Sequence, residues 1–245
     1  EQVDAGLIDK VSFTGSTATG SLVAQAAAKN HIGCIMELGG KSPQVVFADA
    51  DLDAALPVLA NGIIQNAGQT CSAGSRLLVE QSRYDEVIEK LGARMNALRV
   101  GGSQQDLDCG PIIRKGSISS EAPKGGYFVE PHLIRDVPPQ HTLAQDEIFG
   151  PVMVAMPFKD EADALRLANG TAYGLNCGVW TSDGGKQMRL AKGIRSGQVY
   201  INNFGAGGGT ELPFGGVKHS GHGREKGFEA LYGFTSLKTV VFKHG

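Results

Sequence analysis

Short runs of branched and aromatic residues alternate along this chain with longer segments whose apolar positions recur at helical spacing, which predicts strands and helices in turn. Val11-Ser12-Phe13-Thr14 reads as a strand running into Gly15-Ser16-Thr17-Ala18-Thr19-Gly20, after which Leu22, Val23 and the alanines through Ala28 favour a helix. A second strand spans 32–36 and ends at Glu37. A third, over 44–47, follows the turn Gly39-Gly40-Lys41-Ser42-Pro43. Asp51 reads as a helix cap with Leu52, Ala55, Leu56, Leu59 and Ile63 on one face, and Pro57 is expected to kink or restart that helix.

The downstream pattern is more regular. A strand over 76–80 precedes Ser82 and Asp85, which resemble a capping box, and Tyr84, Val87, Ile88, Leu91, Met95 and Leu98 follow at helical spacing. Strands are expected at 152–156, 176–181 and 198–201, with helices over 160–168 and 185–192 between them. Strands alternating with helices predict an α/β fold built on a parallel sheet. The segment 236–243 reads as an exposed edge strand with no following helix, a place for another subunit to pair. Residues 113–121 read as a flexible polar loop. Only ten residues precede the first strand, so a doubly wound nucleotide fold with two β-α-β-α-β halves is incomplete in this sequence.

Composition narrows the function classes. The 245 residues are 41% hydrophobic, enough for a substantial core, and the net charge of -2 comes from interleaved acids and bases. No basic patch points to nucleic acid, no apolar run reaches the roughly 20 residues of a membrane span, and a cytoplasmic location is expected. Cys34, Cys71, Cys109 and Cys177 lie far apart with no metal-ligand spacing, so they read as reduced thiols and no metal site is expected.

Among them Cys71 stands out, because Gly68-Gln69-Thr70-Cys71-Ser72-Ala73-Gly74 is small, polar and glycine-bounded, a setting that leaves a thiol open to substrate. An inert structural cysteine is the alternative. Glu37 closes a buried-looking strand at a Gly-Gly turn, where desolvation would raise its pKa toward that of a general base; a plain surface glutamate also satisfies the position. The segment Gly15 to Gly20 lies between strand and helix, so it is either a pyrophosphate cradle or an ordinary turn. Glu147-Ile148-Phe149-Gly150-Pro151 offers a carboxylate for ribose hydroxyls and a ring for a nicotinamide, or else an acidic loop with a buried phenylalanine anchor. The glycine-rich stretch 212–225 walls a channel or forms a turn, and its His219 and His222 are expected to face solvent.

Together these segments resemble the aldehyde dehydrogenase superfamily. Phe13-Thr14-Gly15-Ser16 with Gly20 is similar to its coenzyme turn, Met36-Glu37-Leu38-Gly39-Gly40-Lys41 to its glutamate signature, and Gly68-Gln69-Thr70-Cys71 to its cysteine signature. Glu147-Ile148-Phe149-Gly150-Pro151 resembles its nicotinamide-ribose motif, and Pro213-Phe214-Gly215-Gly216 with Ser220-Gly221 and Gly223-Arg224-Glu225 its C-terminal loop. The resemblance implies a parallel-sheet catalytic domain over 38–230, an incomplete Rossmann-like coenzyme domain over 1–37, and a C-terminal oligomerisation strand over 231–245 in a homodimer or homotetramer.

It also implies oxidation of a small aldehyde to a carboxylic acid with NAD or NADP, through a thiohemiacetal and a thioester on Cys71, with Glu37 activating the hydrolytic water. Gly15, Ser16, Gly20, Leu38, Gly39, Glu147 and Phe149 would contact the coenzyme. The family's upstream asparagine, lysine and NAD-or-NADP selecting residues have no counterpart in this sequence, and the short join at Ser119-Ser120 stands where the family has further elements. The chain is therefore expected to turn over aldehyde poorly by itself. The alternatives are a non-catalytic fragment acting only in assembly, and a coenzyme-free thiol hydrolase pairing Cys71 with a histidine.

Overall fold

The computed structural model describes residues 7–105, 107–113, 126–205 and 209–245. The expected loop at 113–121, with the join at Ser119-Ser120, lies beyond Ile113 outside the described residues. Two sheets organise the rest. The smaller begins with β1 (Lys10–Thr14), α1 (Thr17–Lys29) and β2 (Gly33–Glu37), a β-α-β unit whose parallel strands pair from Lys10↔Gly33 to Thr14↔Glu37. The helix starts ahead of its apolar run because Ser16 caps it: its Oγ accepts the Thr19 N–H at 3.2 Å.

The larger sheet contains β3 (Pro43–Val46), β4 (Arg76–Glu80), β5 (His132–Ile134), β6 (Val152–Phe158), β7 (Asn176–Trp180) and β8 (Gln198–Ile201). Its order is β5-β6-β4-β3-β7-β8 and every pair is parallel, as the alternating pattern predicts. Helices α2 (Leu52–Ile64) and α3 (Tyr84–Asn96) cover one face; α4 (Thr142–Gln145), α5 (Glu161–Ala168) and α6 (Gly184–Gly193) cover the other. Strand side chains divide with period two. Val46, Leu77, Val79, Met153 and Trp180 pack with α2 and α3, while Val45, Leu78, Val154, Met156 and Val179 pack with α4, α5 and α6. Central strands buried on both faces explain why their sequences read as continuous apolar runs.

Far along the chain, β9 (Gly221–His222) returns to pair antiparallel with β2, placing Met36 opposite His222 and Glu37 opposite Gly221. The glycine-rich stretch thus closes the edge of the small sheet. A last short helix, α7 (Glu229–Gly233), follows it. Among the described residues no helix is long and apolar enough to cross a membrane.

Three expectations need correction. Ser82 and Asp85 form no capping box: Gln81–Arg83 makes a 3-10 turn, and α3 starts at Tyr84 with no side-chain cap. Arg83 takes the electrostatic role instead, bonding Glu86 at 2.6 Å and the Ala48 carbonyl at 2.7 Å. Pro57 does not restart α2, which is assigned as one helix with Leu52, Ala55, Leu56, Leu59 and Ile63 all buried; that packing outweighs the one lost backbone bond. Residues 236–243 form no strand, because among the described residues none lies alongside to supply a ladder, and Leu237, Val241 and Phe242 stand in solvent.

The α2 face dominates one core layer, and Leu59 is fully buried there. Leu59→Ala is expected to cost about 2–5 kcal/mol in urea unfolding, the range for a buried leucine that leaves a cavity. A loss under about 0.5 kcal/mol would show that this layer is loosely packed.

Candidate active site

The loops that matter converge on the amino ends of the large sheet. Residues 38–42 lead from β2 into β3, the cysteine loop leads into β4, Glu147 to Pro151 lead into β6, and Thr171 to Leu175 lead into β7. Glu37 is the last residue of β2, and its carbonyl accepts the Gly15 N–H at 3.0 Å. The carboxyl ends of one sheet therefore meet the amino ends of the other.

Gly40 is the point where three segments touch. Its N–H donates to Glu147 Oε1 at 2.9 Å, and a Cβ on it would run into the Cys71 carbonyl oxygen. Ser220 ties in a fourth segment: its Oγ donates to the Gly39 carbonyl at 2.6 Å and accepts the Gly174 N–H at 3.0 Å, while its carbonyl accepts the Leu38 N–H at 3.0 Å. Beneath them Arg76 is wholly buried among carbonyls, donating to Lys41, Leu167 and Ala168 at 2.8–2.9 Å. It staples the glutamate loop to the strand that leaves the cysteine loop.

Past α2 the backbone turns sharply. Asn66 and Ala67 adopt left-handed φ values of 51° and 54°, and Gly68, at 71°, lies so close to the Gly150 backbone that a side chain has no room. Gln69 locks the turn, its Nε2 donating to the Asn66 and Pro111 carbonyls and its Oε1 accepting the Ile113 N–H. Cys71 follows, half-buried.

Burial and like charge set the titration of this cluster. The Glu37 carboxyl is 2% exposed, and neither oxygen has a hydrogen-bond partner among the described residues. Burial first, then the Glu225 charge, pushes it up to about 8, against the pull of Arg224. Burial, then Glu147 and then Glu37, pushes the Cys71 thiol up to about 11, while the backbone N–H groups of Cys71 and Ser72 oppose the rise. Burial also raises Glu147, opposed by the Gly40 N–H and by Lys41. Lys41 is wholly buried with no hydrogen bond to its Nζ among the described residues, and burial with the neighbouring Arg76 lowers it to about 8.

The structure thus gathers Glu37, Gly39, Cys71 and Glu147 in one place. Leu38 is buried, packed against Gly20, which lies inside α1 rather than in the turn before it. Gly15 and Ser16 are exposed at the amino end of α1, whose first turn carries no acidic side chain. Phe149 is not the buried anchor of the alternative reading. It is 49% exposed with a left-handed φ of 58°, while Glu147 is the half-buried member of the pair. His219 and His222 are exposed, and His222 Nε2 lies 3.6 Å from Cys34 Sγ. Arg76, Lys41 and the Ser220 hydroxyl escaped the sequence reading as site-forming groups. Only a charged residue beginning an apolar strand, as Arg76 does, carried a signal.

A family model described as the aldehyde dehydrogenase family matches residues 3–122 and 114–240. An aldehyde dehydrogenase of Emericella nidulans is 40% identical over 260 residues, covering 97% of this chain and 52% of that protein. Aldehyde dehydrogenase, cytosolic 1, of Mus musculus is 40% identical over 258 residues, covering 96% and 51%. A crystal structure of a Burkholderia cenocepacia protein assigned as an aldehyde dehydrogenase superimposes with a TM-score of 0.95 at 58% identity, covering 99% of this chain and 56% of that one. An NAD+ complex of the Bacillus cereus aldehyde dehydrogenase gives 0.90 at 35% identity, covering 97% and 52%. The chain spans about half the length of the curated relatives it matches.

Two measurements follow from the shared field. Iodoacetamide alkylation of Cys71, read by peptide mass spectrometry, should rise with pH toward a midpoint near 11, and Glu147→Gln or Glu37→Gln should lower that midpoint. A midpoint indifferent to both changes would remove the electrostatic link. Because the folded state favours protonated Glu37, its contribution to stability is complete below the unfolded value near 4.5 and is lost as pH rises through about 8. Urea unfolding of wild type should therefore weaken between those limits relative to Glu37→Gln; parallel curves would contradict the burial argument.

Proposed function

The chain belongs to the aldehyde dehydrogenase family, and from that premise we propose that its site oxidises an aldehyde to a carboxylic acid with NAD or NADP. The observation that carries this reading is the meeting of Cys71, Glu37 and Glu147 in one partly dehydrated cluster. Cys71, as thiolate, adds to the aldehyde carbonyl carbon and forms a thiohemiacetal whose oxyanion accepts a hydrogen bond from the Cys71 N–H. The nicotinamide, when bound, supplies the acceptor for the hydride that leaves this carbon. The thioester left on Cys71 is cleaved by a water whose proton passes to Glu37, releasing acid and thiolate. A carboxyl pushed up to about 8 becomes a competent base as the pH turns mildly alkaline.

The residues present fit such a dinucleotide. The exposed amino end of α1 at Gly15 and Ser16 suits phosphate charge, with Gly20 letting α1 pack on Leu38 beside it. Glu147, with Oε1 held by Gly40 next to Gly39, keeps Oε2 for ribose hydroxyls, and the exposed Phe149 ring offers a face to the nicotinamide.

In this reading residues 1–37 serve the coenzyme and 38–230 the chemistry, with β9 lent across that boundary to the small sheet. Residues 231–245 serve assembly into a homodimer or homotetramer. Four free thiols agree with a cytoplasmic location. The reading in which the chain acts in assembly alone is favoured by its exposed apolar Leu237, Val241 and Phe242. Calorimetry with NAD and NADP separates the two, since micromolar binding by this chain excludes assembly alone.

For the intact polypeptide carrying this chain, NADH or NADPH formation from propanal is the direct assay. Cys71→Ala should reduce it by at least about a thousandfold, and Glu37→Gln should leave a single burst of reduced coenzyme followed by turnover slowed about a hundredfold or more. Normal turnover in Cys71→Ala would refute the proposal.

A further inference from the structure

A cavity of about 160 Å³ opens beside Thr70 and Ser72, the two neighbours of Cys71, between the end of α2 and the segment after β8. Uncharged polar groups share its wall with apolar surface from Val58 and Phe204. Asn61, Gln65 and Asn203 present amides and Thr70 and Ser72 present hydroxyls, while Phe204 is the sole aromatic and no lining residue is charged. Behind the wall lies Gln44, fully buried, whose Oε1 accepts the Trp180 indole N–H at 3.2 Å. An indole only donates, so this bond fixes the amide and turns Nε2 away from it. That Nε2 has no hydrogen-bond partner among the described residues and lies 2.8 Å from where a Cβ on Gly62 would stand, with Gly62 and Phe204 both lining the cavity.

We propose that this cavity takes the tail of the substrate and that the tail is short, neutral and hydroxylated, as in a hydroxyaldehyde of about three to four carbons. The inference rests on Cys71 as the group that meets the carbonyl. The volume corresponds to about five water-sized groups, enough for a tail of this length. Hydroxyls satisfy the amides of Asn61, Gln65 and Asn203, whereas an alkyl chain strips those amides of water and returns nothing. With no cation in the wall, a carboxylate-bearing semialdehyde enters unpaired.

The chain itself provides the test, without coenzyme. Reversible thiohemiacetal formation protects Cys71 from iodoacetamide, read at pH 9 by peptide mass spectrometry, with Cys34 in the same digest reporting non-specific trapping. With concentrations expressed as free aldehyde, glyceraldehyde should protect Cys71 at about tenfold lower concentration than hexanal or succinate semialdehyde. Asn61→Leu combined with Gln65→Leu, both exposed positions, should reverse the order of glyceraldehyde and hexanal. Equal or better protection by hexanal, an unchanged order in the double variant, or equal protection of Cys34 overturns the inference while leaving Cys71 a carbonyl-binding thiol. Failure of every aldehyde, propanal included, to protect an alkylatable Cys71 overturns the proposed function and this inference with it.

Discussion

The hydrogen bond from the Gly40 N–H to Glu147, made over a glycine that lets the Cys71 backbone lie against it, is the contact on which the rest of the site depends. It joins three loops that the sheet delivers separately, from the amino ends of β3, β4 and β6. Each loop is then braced from behind: the first by Ser220 and the Arg76 guanidinium, the second by Gln69, and the third by the close packing of Gly68 on Gly150. A side chain at position 40 would wedge these apart. No strength of local propensity elsewhere compensates for that, since the constraint is one of space rather than of conformation.

Holding the loops so close has an electrostatic consequence. Cys71 feels both carboxylates, and Glu37 in turn feels Glu225, so no member of the cluster titrates alone. At neutral pH Glu37 is largely protonated, and its effect on the thiol is correspondingly weak; ionising it above about 8 makes thiolate formation harder. The same burial that readies a carboxyl to act as a base therefore holds the sulfur protonated. The N–H groups of Cys71 and Ser72 oppose that rise without offsetting it.

Most of the scaffold was legible because its cause is local. The apolar runs of β3, β4 and β6 and the Asp51 cap follow from neighbours in sequence. The glycine settings of Glu37 and Cys71 were legible for the same reason. What stayed hidden acts through space: Arg76 bonding carbonyls of Leu167 and Ala168, and Ser220 reaching Gly39, join residues whose adjacency only the fold creates. The capping box at Ser82 fails because a 3-10 turn over Gln81–Arg83 delays the helix start to Tyr84, which puts Arg83 rather than Ser82 at the cap position. The C-terminal strand fails for a complementary reason, since β-prone residues make no ladder without a neighbour.

The pairing of β2 with β9 sets an order of events during synthesis. Glu37 is made before the strand that lies against it and the Ser220 hydroxyl that fixes the next turn, which emerge about 180 residues later. Closing so long a loop costs entropy that nearby contacts do not repay, so this seam forms among the last. Until it does, a nascent chain would carry a hydrated carboxylate and an uncovered sheet edge, the stage at which chaperones have most to bind.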